Sequence, residues 1–200
     1  MLLLLTLACG ERDTGVLPGE CDTANDTGPF QVGLIDPECI CEEPSAEIGT
    51  GIDAFTSHLD GDCLQMVHGP QGGWHLPGAL RAENTRNVVE IVAYAEINGE
   101  RITDELTYRV QLVDEVDETC AGSFPNMFLY LTSQFIDPEL KPPELVSCQE
   151  VTITMCIDDT GGNATCDELR VMVAPDPRDI ELGLVGECEA CPVFDSQDTG

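Results

Sequence analysis

A chain of 200 residues with 38 aspartates and glutamates against 8 lysines and arginines has a formal charge of -30 at pH 7 and no basic footprint with which to neutralise phosphates, which excludes nucleic acid as a partner. Its 42% apolar content and 23% charged content allow a real core, while 13 prolines and 19 glycines exclude a helical bundle and favour a loop-rich, all-β design. So acidic a surface suits a salty medium, where self-repulsion is screened, or divalent cations.

The chain opens on an apolar run from Met1 to Leu7 that closes on Ala8 and Cys9. The run is far too short to cross a bilayer, which takes about 20 apolar residues. Leu7, Ala8 and Cys9 resemble the lipobox of bacterial lipoproteins, although Thr6 stands where leucine is usual and no Lys or Arg precedes the run. The resemblance implies that residues 1–9 are a lipoprotein signal, that the thiol of Cys9 is acylated, and that the membrane is reached through this lipid anchor. Gly10, in place of the aspartate that marks inner-membrane retention, implies the outer membrane. Apart from the resemblance, the same segment reads as a short buried strand.

Giving Cys9 to lipid leaves ten of the 11 cysteines, an even number that an oxidising compartment would close into as many as five bridges. Residues 10–45 form an acidic tether rich in Pro and Gly, with Cys21, Cys39 and Cys41 available to pin it. It holds too little apolar surface to offset its ordering entropy. In an extended chain Cys39 and Cys41 point to opposite sides and seek different partners.

From residue 46 to 175 the pattern turns to short runs of period two between turn residues, which predicts an all-β sandwich. Candidate strands are Cys63 to His68 after the Asp60-Gly61 turn, and Trp74 to Leu80. Val89, Ile91, Ala93, Ala95 and Ile97 share a face and run into Asn98-Gly99, a hairpin turn. Leu106, Tyr108, Val110 and Leu112 share another. Met127, Leu129 and Leu131 alternate with Phe128 and Tyr130, a strand expected to be covered on both sides. No long segment carries a helical stripe.

The clearest unit is a hairpin from Val151 to Ile157 and from Thr165 to Val173 around an Asp/Gly/Asn turn. Val151, Ile153, Met155 and Ile157 face the core from one strand; Leu169, Val171 and Val173 face it from the other. Pairing Ile157 with Thr165 sets Cys156 opposite Cys166 on the outer face with Cβ atoms about 4.5–5.5 Å apart, so a Cys156–Cys166 bridge is expected. This hairpin resembles the closing hairpin of bacterial immunoglobulin-like extracellular domains. The segment from Leu59 to His75 is similar to one in uncharacterised lipoproteins of myxobacteria and their relatives. The likeness spans residues 46–175 and implies a fold, an immunoglobulin-like antiparallel β-sandwich, but no activity. The acidic, Cys-containing stretch 176–200 is expected to be a disordered tail pinned by disulfides.

Several constellations bear on chemistry. Asp-Thr-Gly, the tripeptide of aspartic proteases, occurs at 13–15, 26–28, 159–161 and 198–200, but in turn and tail contexts without the apolar strand-loop that lets two carboxylates share a proton. No histidine follows residue 75, so neither a downstream base for a nucleophile nor a C-terminal copper ligand set is available. Met66, His68, His75 and His58 form a conceivable copper or zinc cluster. Asp60 and Asp62, with Asp158 and Asp159, supply oxygen ligands on loops that could hold calcium, or simply make tight turns. Cys188 and Cys191 read as a short structural bridge, or as a redox or zinc pair with Cys39 and Cys41. The protein is therefore expected to be a non-enzymatic, cofactor-free envelope lipoprotein presenting its sandwich to an envelope or extracellular protein or glycan. A metal-binding module, calcium ahead of copper, is the alternative.

Overall fold

The computed structural model describes residues 42–191 apart from 115–119, 133–138, 160 and 162. The lipobox with Cys9, nearly all of the tether, and the Asp-Thr-Gly copies near the two ends lie outside the described residues.

Among the described residues, twelve strands form two sheets of six, accompanied by two short helices. The first sheet holds β1 (Ser45–Thr50), β2 (Thr56–Ser57), β4 (Val67–His68), β5 (Trp74–Glu83), β9 (Val113–Asp114) and β10 (Ala121–Tyr130), in the order β2-β1-β5-β10-β9 with β4 beside β5. The second holds β3 (Cys63–Gln65), β6 (Val88–Ile97), β7 (Glu100–Arg101), β8 (Leu106–Gln111), β11 (Glu150–Asp158) and β12 (Ala164–Ala174), in the order β3-β12-β11-β6-β7 with β8 also on β6. Helices α1 (Pro142–Val146) and α2 (Pro177–Glu181) each open on proline, whose fixed φ suits a first helical turn.

Period two explains the core. Ile91, Ala93 and Ala95 of β6 stand opposite Ile157, Met155 and Ile153 of β11, and Ile153 and Val151 stand opposite Leu169 and Val171 of β12. Ile48, Leu76, Leu80, Ala82, Met127 and Leu129 of the first sheet complete one shared cluster with them. The sheets pack tightly at Gly78, where a Cβ would lie 2.9 Å from Leu129 Cδ1 of the same sheet and 2.9 Å from Met155 Cε of the other. Asn98 and Gly99 take φ of 53° and 81°, the left-handed pair that a tight hairpin between β6 and β7 requires.

The architecture departs from the expected one at four places. The second sheet is mixed rather than antiparallel, because β3 runs parallel to β12 over Met172 to Ala174. Strand β10 begins six positions before Met127; its register slips between Phe124 and Met127, where Asn126 has φ of 62°, and this bulge breaks the alternation that would have revealed its first half. Tyr130 is 57% exposed, so β10 is not covered on both sides. The folded body also continues past residue 175, with Asp179, Cys188 and Cys191 all buried, so the stretch to 191 is part of the body rather than a loose tail.

Gly49 of β1 has no room for a side chain: a Cβ there would overlap the Thr56 carbonyl oxygen and lie 2.7 Å from the Phe55 ring. Gly49→Ala is expected to lower the unfolding free energy by about 1–3 kcal/mol in urea denaturation. Gly73→Ala, whose methyl would meet nothing within 4 Å, should stay within about 0.5 kcal/mol. Equal effects would contradict this packing.

Candidate functional site

The pairing of β5 with β10 builds a half-exposed aromatic strip. Leu76 and Leu129 form one cross-strand pair pointing into the core, so the flanking pairs, His75 with Tyr130 and Pro77 with Phe128, point outward. The His75 ring meets Phe128 edge-on at 4.7 Å and Tyr130 at 5.9 Å, and the Phe128 and Tyr130 centroids are 6.4 Å apart. Val67 of β4 is paired with His75 and extends the strip on one side; Phe55, lying over Gly49 of β1, shares the same outer face. Partial burial pushes the His75 imidazole below its ordinary pKa, with the Asp176 carboxylate pulling the other way.

Behind the strip, α2 is clasped to the first sheet by a buried carboxylate. Asp179 has no exposed surface; its Oδ1 accepts from His68 Nδ1 at 2.6 Å and its Oδ2 from Trp74 Nε1 at 2.9 Å. The tautomer with its proton on Nδ1 is the one that lets His68 donate to Asp179. The His68 and Trp74 rings lie against each other at 4.7 Å. Asp176 caps α2 through Arg178 N–H and accepts the His68 N–H at 2.7 Å with its other oxygen. A histidine held by a buried aspartate also occurs in catalytic sites. Here the pair secures a helix too short to hold itself. Asp179 lay in the expected tail, more than 100 positions from both partners, and carries no local signal of its role.

The aspartates considered for calcium do not converge. Asp60 accepts from Arg170 N–H at 2.9 Å and faces that guanidinium at 3.5 Å, and Asp62 accepts from Leu59 N–H at 2.9 Å. Asp158 and Asp159 stand at the far end of the hairpin, six strand positions from Arg170 along β12, or about 20 Å at 3.3 Å per residue. Asp159 is buried with its oxygens occupied: Oδ1 accepts from the N–H groups of Gly161 and Asn163, and Oδ2 from Arg86 N–H and Asn163 Nδ2. It organises the turn and has no lone pair directed at a cation.

The histidines are likewise dispersed. Met66 is fully buried in the core; His58 bonds Thr50 Oγ1 at 2.8 Å and faces Asp62 at 3.5 Å; His68 and His75 serve the clasp and the strip. Among the described residues no three of His, Cys, Asp and Glu are grouped to hold a metal ion.

All seven described cysteines are disulfide-bonded. Cys156 stands opposite Cys166 in the β11–β12 register and the two are joined. Cys188 and Cys191 do not bridge each other: Cys188 joins Cys148 and Cys191 joins Cys63, fastening the segment after α2 to the body. Cys120 and Cys148 have φ of 73° and 62°, conformations costly for a residue with a side chain. No described helix is long and apolar enough to cross a membrane. The chain matches no family model and no curated protein.

Asp179→Ala strands the Trp74 and His68 donors and is expected to cost roughly 3 kcal/mol. Because Trp74 is the only tryptophan, its emission should move to the red; unmoved emission with a loss under about 1 kcal/mol would contradict the clasp. For His75, the lowered pKa means that the folded protein binds fewer protons than the unfolded chain between the folded value and the ordinary one of about 6.5. Its contribution is complete above that ordinary value and is lost as pH falls through the window. An NMR titration should give a His75 midpoint below the ordinary value, and a midpoint at or above it would contradict the burial argument.

Proposed function

We propose that the protein is an exported, non-enzymatic lipoprotein of the cell envelope, anchored through an acylated Cys9 to the outer membrane, that presents an immunoglobulin-like β-sandwich to an envelope or extracellular partner. The observation that carries this reading is the bonded state of all seven described cysteines, since bridges in such number persist in oxidising compartments and are rare in the cytosol. The lipobox resemblance at Leu7 to Cys9 supports the anchor, and the two stacked sheets closed by the β11–β12 hairpin support the immunoglobulin-like comparison.

The binding face is the strip of His75, Phe128 and Tyr130. Aromatic rings held by strand register present large contact area at little entropic cost, and half-exposed apolar patches of this kind mark interaction sites. A surface with a net charge of -30 repels anionic partners, so the partner this face takes is a protein or glycan that is neutral or basic. In this reading His68 and Asp179 are structural, and no metal or cofactor takes part.

Intact mass of the protein purified from its native membrane tests the reading. The expected mass is that of a chain beginning at an acylated Cys9, with thiols appearing only after reduction. An unprocessed Met1 with free thiols would overturn both export and anchoring.

A further inference from the structure

The bridge between Cys156 and Cys166 differs from its neighbours in what it joins. Cys63–Cys191 and Cys148–Cys188 span sequence separations of 128 and 40 and each has one buried partner, Cys191 or Cys188. Their Cα atoms are 5.6 and 5.5 Å apart, close to the usual spacing for a bridge of about 5.5–6 Å. Cys156 and Cys166 are 10 positions apart, in two strands already paired without interruption from Glu150 to Asp158. Opening this bridge leaves that register, and Met155, Ile157 and Leu169 beneath it, in place.

Strand register sets the geometry of the pair. Asp159 N–H donates to the Asn163 carbonyl and Val173 N–H to that of Gln149, so hydrogen-bonded pairs fall on the odd residues and Cys156/Cys166 is one of the closer, non-hydrogen-bonded pairs. The Cα atoms are 4.0 Å apart, inside the roughly 4.4 Å lower bound of ordinary bridges, and bridges outside that range reduce more easily. The pair lies on the outer face, with Cys166 exposed and Cys156 half-buried. Asp158 and Glu168 flank it on that face, and Glu90 of β6 lies opposite Asp158; of the cations, Arg109 of β8 stands opposite Glu90, Arg170 lies four positions from Cys166 along β12, and the Arg86 guanidinium reaches the turn at Gly161. The excess of carboxylates disfavours an anionic attacking thiol.

We infer that Cys156–Cys166 is a thiol-exchange site, opened by an external neutral or cationic thiol while the fold and the other described bridges stay intact. The reagent's thiolate attacks Cys166 Sγ, the S–S bond breaks, and Cys156 leaves as a thiolate that takes up a proton. A second reagent thiolate attacks the reagent sulfur of the mixed disulfide and frees Cys166. Two reagent thiols are thereby oxidised to one disulfide as the protein's cystine is reduced to two thiols.

The test treats the full chain, undenatured, with cysteamine or with glutathione, quenches at intervals with iodoacetamide and maps the alkylated peptides. Cys156 and Cys166 should be alkylated at least about tenfold faster than Cys63, Cys148, Cys188 and Cys191, with the circular dichroism spectrum unchanged. The ratio of cysteamine to glutathione rates should fall several-fold between low salt and about 1 M. The variant C156A/C166A should keep the same spectrum and lose the fast phase. Equal rates, prior opening of Cys148–Cys188, loss of the β spectrum with the first thiols, a salt-independent ratio, or a fast phase that persists in the variant would each overturn the proposal.

Discussion

The register of β11 against β12 is the constraint on which most of the structure depends. Because side chains alternate with period two, setting Ile157 opposite Thr165 commits Val151, Ile153, Met155, Leu169 and Val171 to one face and both cysteines to the other. A slip of one position would turn the whole apolar set toward solvent. The turn that holds this register is built by Asp159, whose buried carboxylate collects N–H groups from Arg86, Gly161 and Asn163. Strand β6 then adds to one side of the hairpin and β3 to the other, and the first sheet packs on the apolar face so formed.

What lies beyond β12 is secured by longer-range devices. Helix α2 has five residues, too few to be stable alone, since isolated helices shorter than about 12 residues are marginal. Its capping aspartate, the Asp179 clasp and two disulfides therefore hold the segment from 176 to 191 where propensity could not. The few cations act locally at the surface: Arg81 bridges Glu47 and Glu83, and Arg101 lies over Tyr94 beside Glu96 and Glu105. Such partly exposed pairs contribute about 1 kcal/mol each. They cannot balance the net charge, so the cross-links and the core carry the cohesion that the surface electrostatics oppose.

The strongly periodic parts of this arrangement were legible in the sequence. The strands around Val89 to Ile97, Leu106 to Val110 and the Cys156/Cys166 hairpin followed from alternation bounded by turn residues, because each buries one face and exposes the other. The first half of β10 was hidden by its bulge, and α1 and α2 are too short to show a 3.6-residue stripe. The parallel pairing of β3 depends on a long-range crossing that no local pattern encodes. Alternation placed Phe128 and Tyr130 opposite the core but could not say whether anything covers them. The pairings of Cys188 and Cys191, and the use of Asp179 by His68 and Trp74, join residues far apart in the chain, and spacing alone favours the nearer, wrong partner.

Residues 176–191 are built into the body through Cys188, Cys191 and Asp179. Peptide mapping of the unreduced protein by mass spectrometry tests it. Cross-linked peptides joining Cys63 to Cys191 and Cys148 to Cys188 are expected. A Cys188–Cys191 loop, or free thiols at those positions, would contradict it and return this segment to the status of a tail.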